Sequence, residues 1–246
     1  MDTEKKKIIV INGSPRRDES TTLVATNLFL RGIKDAVPCD VEFVTVSDMN
    51  IKPCLGCLSC WARTEGECVI RDDDILPVKN KILESDIVIV SYPLYFFGMP
   101  GTMKVFTDRM LSMMQTYAGQ PASLTGESLH GIRYPKPGRS FVVISTCAYT
   151  EVNGAYDALK CQYDCICGRG NYTAVLVPQL KMFLASAKGE RLEKFEKKFA
   201  DAGRMLALEG KVSDELLSEL SQPQFTERTY KYLLANYWDS LRKGLQ

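Results

Sequence analysis

The chain has 246 residues, enough for one large domain or a domain with an appendage, and its 45% apolar and 25% charged residues exclude a disordered or fibrous class. With 31 basic against 30 acidic side chains there is no electrostatic pull toward nucleic acid or an anionic membrane, so neither is expected as a partner. A single histidine, His130, excludes two-histidine zinc and iron sites, and its turn-rich setting, GESLHGIRYPKPG, reads as a solvated loop.

The opening MDTEKKKIIVINGSPRR is too short in apolar residues for a secretory signal, and no run approaches the roughly 18 apolar residues of a membrane span. A cytoplasmic protein is therefore expected. In chain order, a strand is predicted at 7–13 (KIIVING), a helix at 20–36, a strand at 41–46 (VEFVTV), a helix at 73–85, and a strand at 86–93 (DIVIVSYP). A helix follows at 101–114, a strand at 139–147 (RSFVVISTC), a helix at 152–167 and a strand at 172–178 (YTAVLVP). The strands are β-branched and apolar at nearly every position, as strands covered on both faces are. Their alternation with helices predicts the α/β class, a doubly wound parallel sheet of five strands.

Beyond Pro178, residues 188–209 place Leu192, Phe195, Phe199, Ala202 and Leu206 on one helical face, the helix expected to close the sheet layer. Residues 225–246 carry a second stripe of Tyr230, Leu233, Leu234, Tyr237, Trp238 and Leu241. We place a sheet domain at 1–211 and a helical extension at 212–246, whose apolar stripe predicts an oligomer contact in a homodimer or homotetramer. The connection at 115–138 is long for a compact domain, which marks it as functional or mobile.

Two loops carry ligand chemistry. GSPRRDESTT at 13–22 leaves the first strand and opens the first helix, where orphan N–H groups and the helix dipole favour an anion, and Arg16 adds a full positive charge. Ser20 is the expected N-cap. The loop is neither a P-loop nor a GxGxxG fingerprint, and GRGNYT at 168–173 precedes a strand instead of following one. The third strand runs into YPLYFFGMPG, which presents aromatics and backbone amides at a strand end, where ligands of open parallel sheets bind. Together the two loops suit a flat ring with a phosphate tail.

Nine cysteines without an export signal disfavour a disulfide framework. Four of them, Cys54, Cys57, Cys60 and Cys68, are spaced C-x2-C-x2-C-x7-C, and the tight first three match the opening of a cubane-binding run. Gly56 lets the backbone turn. The spacing leaves open a [4Fe-4S] cluster, a loop of reduced structural thiols, and zinc or a disulfide. The other five cysteines read as small buried residues.

GSPRRDEST and YPLYFFGMPGTMKVFTDR, with the cysteine run between them, resemble the flavodoxin-like NADPH-dependent FMN reductase family, and within it the iron-sulfur flavoproteins. The resemblance covers about residues 6–180 and leaves the tail from about 212 outside. It implies a flavodoxin-like five-stranded sheet, bound FMN, NAD(P)H as electron donor, a small acceptor such as a quinone, and a [4Fe-4S] cluster on Cys54, Cys57, Cys60 and Cys68. It further implies that Ser14, Arg16, Ser20, Thr21 and Thr22 hold the FMN phosphate. Pro93, Leu94, Tyr95, Phe96, Phe97 and Gly98 would line the isoalloxazine, with Thr146, Cys147 and Ala148 as a third loop. Ser20 stands where family members often have Asn, and it can still donate to phosphate. Hydride transfer to a flavin requires no side-chain acid or base, in keeping with the single histidine. The alternative, a non-enzymatic flavodoxin-like carrier docking to redox partners, agrees less well with the neutral charge, since carriers tend to be strongly acidic.

Overall fold

The structure is a computed structural model that describes residues 5–115 and 130–244; most of the long connection, with the expectation attached to it, lies outside the described residues. Five strands, β1 (Lys6–Asn12), β2 (Cys39–Thr45), β3 (Ile87–Pro93), β4 (Ser140–Cys147) and β5 (Thr173–Pro178), form one parallel sheet in the order β2-β1-β3-β4-β5. This is the flavodoxin-like order, and the chain changes its direction of winding between β1 and β3. The helices in chain order are α1 (Thr21–Ala36), α2 (Ser59–Ala62), α3 (Ile75–Glu84), α4 (Gly101–Arg109), α5 (Asp157–Cys167), α6 (Leu180–Ser186), α7 (Glu190–Glu209), α8 (Asp214–Leu220) and α9 (Glu227–Gly244).

Strand pleating explains the two cores. Successive side chains of β1 leave on opposite faces, so Ile8 and Val10 join the core under α1, α6, α7 and α8, while Ile9 and Ile11 join the core under α3, α4 and α5. All four are buried, and each contributes about 1.5–3 kcal/mol of transfer free energy. The expectation of strands covered on both faces holds for β1 and β3. It does not hold for β2, an edge strand whose Phe43 and Glu42 are exposed. Only one neighbour orders that strand, and the helices cover it only in part: Cys39 and Val41 pack against the first core and Val44 joins the second.

Several boundaries differ from those read in the sequence. The helix expected from 152 begins at Asp157, because Gly154 takes a positive φ of 76° and turns the chain first. The helix expected through 114 ends at Arg109 and tightens into a 3-10 turn at Met110–Met113. The short helices α2, α6 and α8 carry too few turns to show a period. The extension from 212 shares the first core: Val212 and Leu220 are buried in it, with Leu216, Leu217 and Phe225 packed against it.

The closest helix contact in the first layer rests on two glycines. A Cβ on Gly32 would lie 1.8 Å from the Ala200 carbonyl oxygen, and one on Gly203 would lie 1.9 Å from that of Phe29, so α1 and α7 meet backbone to backbone. At an exposed helix position Gly→Ala stabilises by about 1 kcal/mol. Here the sign should reverse: Gly203→Ala is expected to lower the unfolding free energy by about 1–3 kcal/mol, the range of overpacked sites, measured by urea denaturation. A variant as stable as the parent would mean that the two helices are not packed in this way.

Candidate functional site

The loops that follow β1, β3 and β4 meet at the carboxyl edge of the sheet. The first is shaped by Asn12, whose Oδ1 accepts from Ser14 N at 3.1 Å and whose Nδ2 donates to the Arg17 carbonyl at 3.3 Å. Gly13 lets Met103 come close: a Cβ there would lie 2.8 Å from its Sδ, and the side chain would have to shift. Ser14 is buried and its Oγ accepts from Arg16 N; Ser20 caps α1 by accepting from Leu23 N at 3.4 Å. Thr22 is buried and shares a hydrogen bond of 2.5 Å with the hydroxyl of Thr146. Thr21 is partly exposed, and the half-exposed Arg16 guanidinium has only a loose contact with Glu19 at 3.8 Å. Ser14 and Ser20 thus shape the loop, and the charge of Arg16 is available at its rim.

In the second loop, Tyr95 and Gly98 exchange two backbone hydrogen bonds of 2.9 Å, closing a turn with Phe96 and Phe97 at its tip. Their φ values are +47° and +66°. Positive φ at both central positions is the pattern of a type I′ turn, which ordinarily selects Asn-Gly, so two phenylalanines store local strain there. Phe96 is 98% exposed, while Phe97 stacks on Tyr149 with centroids 5.4 Å apart and ring planes at 20°. Pro93 ends β3, and Leu94 N donates to the Thr146 carbonyl at 2.9 Å.

The third loop is therefore the junction. Thr146 bonds Thr22 by its hydroxyl and Leu94 by its carbonyl. The next two carbonyls point the other way: that of Cys147 accepts from Gln179 N and that of Ala148 accepts from Tyr230 Oη, both at 2.8 Å. Burial pushes the Cys147 thiol up, offset in part by hydrogen bonds involving the Tyr149 N–H and Tyr156. Tyr149, Gln179 and Tyr230 were not anticipated as site residues. Tyr149 lies one residue past the expected loop, Gln179 carries no signal beyond its place after a strand, and Tyr230 belongs by sequence to the apolar stripe.

The cysteine run follows β2 at the same edge, on a loop tied down at both ends. Asn50 and Asp74 exchange hydrogen bonds, and the Arg109 guanidinium donates to the carbonyls of Lys52 and Ile70 while pairing with Asp73. Both side chains of that ion pair are only 1% exposed. Farther along, Trp61 Nε1 donates to the Leu111 carbonyl, Tyr134 Oη to that of Glu65, and Lys79 Nζ to that of Gly66. His130 is half-buried with its ring 4.8 Å from Trp61, which corrects the reading of a solvated loop histidine. An aromatic neighbour outside the local sequence covers it.

Cys54 and Cys57 are exposed, and Cys60 and Cys68 are partly buried. Hydrogen bonds from the Ser59 backbone N–H and then its hydroxyl hold the Cys57 thiol below the usual range. Burial pushes Cys60 up, reinforced by Cys68, Cys54 and Cys57, so the four thiols sense one another. They are not drawn together: among the described residues, no three Cys, His, Asp or Glu side chains form a group able to hold a metal ion. Of the remaining cysteines only Cys147 is buried, which corrects the expectation for Cys161, exposed on the surface of α5, and for Cys39, Cys165 and Cys167, which are partly exposed. Among the described residues no helix is long and apolar enough to cross a membrane.

Residues 6–136 match the model of the family described as NADPH-dependent FMN reductase. The chain is 36% identical to an iron-sulfur flavoprotein of Clostridioides difficile over 109 residues, which cover 44% of this chain and 47% of the relative. It is 34% identical to one of Methanocaldococcus jannaschii, with coverages of 42% and 51%. The chain thus spans about half the length of these curated relatives. In fold it is similar to an FMN-dependent NADH-azoreductase of Bacillus anthracis solved with FMN, at a TM-score of 0.57 and 19% identity, covering 82% of this chain and all (100%) of that one. An NAD(P)H:quinone oxidoreductase of Methanothermobacter marburgensis gives a TM-score of 0.55 at 16% identity, covering 82% of this chain and 99% of that one.

The buried ion pair is the test of how the cysteine loop is held. Arg109→Met leaves the Asp73 carboxylate buried without its partner and should cost about 3–5 kcal/mol in denaturant unfolding. Burial alone would raise the Asp73 carboxyl, but hydrogen bonds from Arg109 and from the Lys52 and Ile75 N–H groups bring it below the usual carboxylate range. Stability from the pair is therefore complete above the unfolded-state pKa and is lost as pH falls through the lower folded value. Trypsin should cut the variant within residues 52–73 faster than the parent. Equal cutting rates and equal stability would show that Arg109 does not fasten the loop.

Proposed function

The chain belongs to the NADPH-dependent FMN reductase family, and from that premise we propose that it is an FMN-dependent oxidoreductase that passes electrons from NAD(P)H to a small acceptor such as a quinone. The observation that carries this reading is the junction at Thr146, which joins an anion-type loop, an aromatic loop and a third strand-end loop at one edge of the sheet. Such an arrangement suits a flat ring with a phosphate tail. The fit to FMN is supported by Arg16 at the rim of a helix N-terminus and by an aromatic turn of left-handed backbone with Phe96 exposed at its tip.

We assign Arg16 and Thr21, with the first-turn N–H groups of α1, to the phosphate, and Ser14, Ser20 and Thr22 to shaping that pocket while lining it. Pro93 through Gly98 and Thr146, Cys147 and Ala148 would border the isoalloxazine. The chemistry that bound FMN supplies is hydride acceptance from NAD(P)H and onward electron transfer. The side chains bind and orient; none is asked to move a proton. Cys147, held neutral by burial, takes no nucleophilic part. Phe97 and Tyr149, stacked on one another, would flank the ring with aromatic surface.

The finer reading, a [4Fe-4S] cluster on Cys54, Cys57, Cys60 and Cys68, is supported by the cysteine spacing and by relatives named iron-sulfur flavoproteins. The donor chemistry fits iron; the present disposition of the thiols does not, and they would have to draw together, so no step is routed through a cluster. We also propose a homodimer or homotetramer in the cytoplasm, with α9 as the contact, where Tyr232, Trp238 and Leu241 are exposed. Tyr230 is not on that surface, because it turns inward to the third loop.

Purified protein reconstituted with FMN should oxidise NAD(P)H in the presence of a small quinone; binding of FMN without such turnover would leave the carrier function in its place. Arg16→Ala should weaken FMN by about tenfold or more, the worth of one charge-assisted hydrogen bond, and leave riboflavin affinity nearly unchanged. Equal FMN affinity would remove Arg16 from the site. For the cluster, anaerobically prepared protein should contain iron and acid-labile sulfide, Cys57→Ala should lose both and keep FMN, and Cys161→Ala should lose neither. Iron-free protein under those conditions would assign the run to structural thiols.

A further inference from the structure

The C-terminal extension reaches the third strand-end loop of its own chain. Tyr230, at the start of α9, is 3% exposed, and its hydroxyl donates to the Ala148 carbonyl at 2.8 Å. Its ring stacks on Phe225 with planes at 13°, and Phe225 N donates to Gln179 Oε1 at 2.8 Å. Gln179 itself is buried in a left-handed conformation with φ of 59°, and its own N–H donates to the Cys147 carbonyl. The extension and the end of β5 thus hold two successive carbonyls of the third loop, one directly and one through Gln179.

A peptide plane has its C=O and N–H on opposite sides, so fixing two carbonyls fixes the direction of the N–H groups of Ala148 and Tyr149. We propose that Tyr230 is a positioning residue for the ring side of the flavin pocket, acting through the Ala148 carbonyl; this rests on the reading of this sheet edge as an FMN site. The hydroxyl remains a donor across ordinary pH, because burial, and then Cys147, pushes it up to about 12. The ordinary alternative is that Tyr230 only packs the tail against the sheet, and the two separate cleanly. Packing uses the ring; positioning uses the hydroxyl.

Tyr230→Phe keeps the ring and deletes the hydrogen bond. In the full chain it is expected to weaken FMN and riboflavin alike, by about threefold to tenfold, the range of one net hydrogen bond, as read by quenching of flavin fluorescence. This contrasts with Arg16→Ala, which discriminates between the two ligands. The apo variant should also exchange the amide hydrogens at 148–149 faster than the apo parent, while those of α7 are unchanged. Affinities within twofold of the parent with parental exchange, or a loss confined to FMN, would overturn the proposal. Failure of the parent to bind either flavin would refute the flavin reading instead, and the apo exchange rates would still decide whether the hydroxyl holds the loop.

Discussion

Thr146 shares a hydroxyl–hydroxyl hydrogen bond with Thr22 and accepts at its carbonyl from Leu94 N, and these two hydrogen bonds link the loops after β1, β3 and β4. Each is worth only about 0.5–1.5 kcal/mol net, far less than the burial of the strands beneath. They suffice because Thr146 sits at the end of a strand whose side chains from Val142 to Ser145 are fully buried, so the junction inherits the rigidity of the sheet. A site suspended from strand ends is placed more accurately than one carried on long loops. The same logic explains why Gly13 and Asn12 matter: one allows β1 to run close under Met103, and the other folds the loop back before α1 begins.

The aromatic turn shows what that rigidity sustains. Left-handed phenylalanines at positions 96 and 97 cost on the order of 1–3 kcal/mol each. Two hydrogen bonds between Tyr95 and Gly98 and the stacking of Phe97 on Tyr149, a contact type worth about 0.5–1.5 kcal/mol beyond its area, offset much of that cost. The ring of Phe96 meets the edge of Phe97, with centroids 6.0 Å apart, and otherwise stands in water. The strain is therefore spent on presenting one aromatic ring at the surface.

The sheet was legible because its strands are nearly uninterrupted β-branched runs and its helices keep a 3.6-residue stripe; Ile8–Ile11 and the face of Phe195, Phe199, Ala202 and Leu206 are as buried as their patterns require. The strand-end loops were legible as loops, since the Gly, Pro, Ser and Arg before the first helix and the Pro and Gly around the aromatics after the third strand interrupt both periods. What could not be read was which polar groups bond across the chain. Thr22 and Thr146 are 124 positions apart, and Tyr230 and Ala148 are 82 apart. Tyr230 has the same place in its stripe as exposed Trp238, and only the fold decides that one turns inward. Likewise Arg109 reads as the basic end of a helix, with nothing nearby to show that Asp73 lies buried beside it.

Those unread residues share a role. Asn12, Arg109, Gln179 and Tyr230 are polar groups at the roots of loops, where each bonds backbone or carboxylate groups of the loop it holds. A buried polar group that loses its partner costs about 1–3 kcal/mol, more when charged, so such roots penalise every alternative loop conformation. The groups suited to chemistry lie at the other end of the same loops: Arg16, Phe96, Cys54 and Cys57 are all exposed or half-exposed. Root and tip are thereby separated in energy as well as in space. The tip of the cysteine loop has Gly56 and Leu58 in left-handed backbone, while the buried Arg109–Asp73 pair fastens its ends.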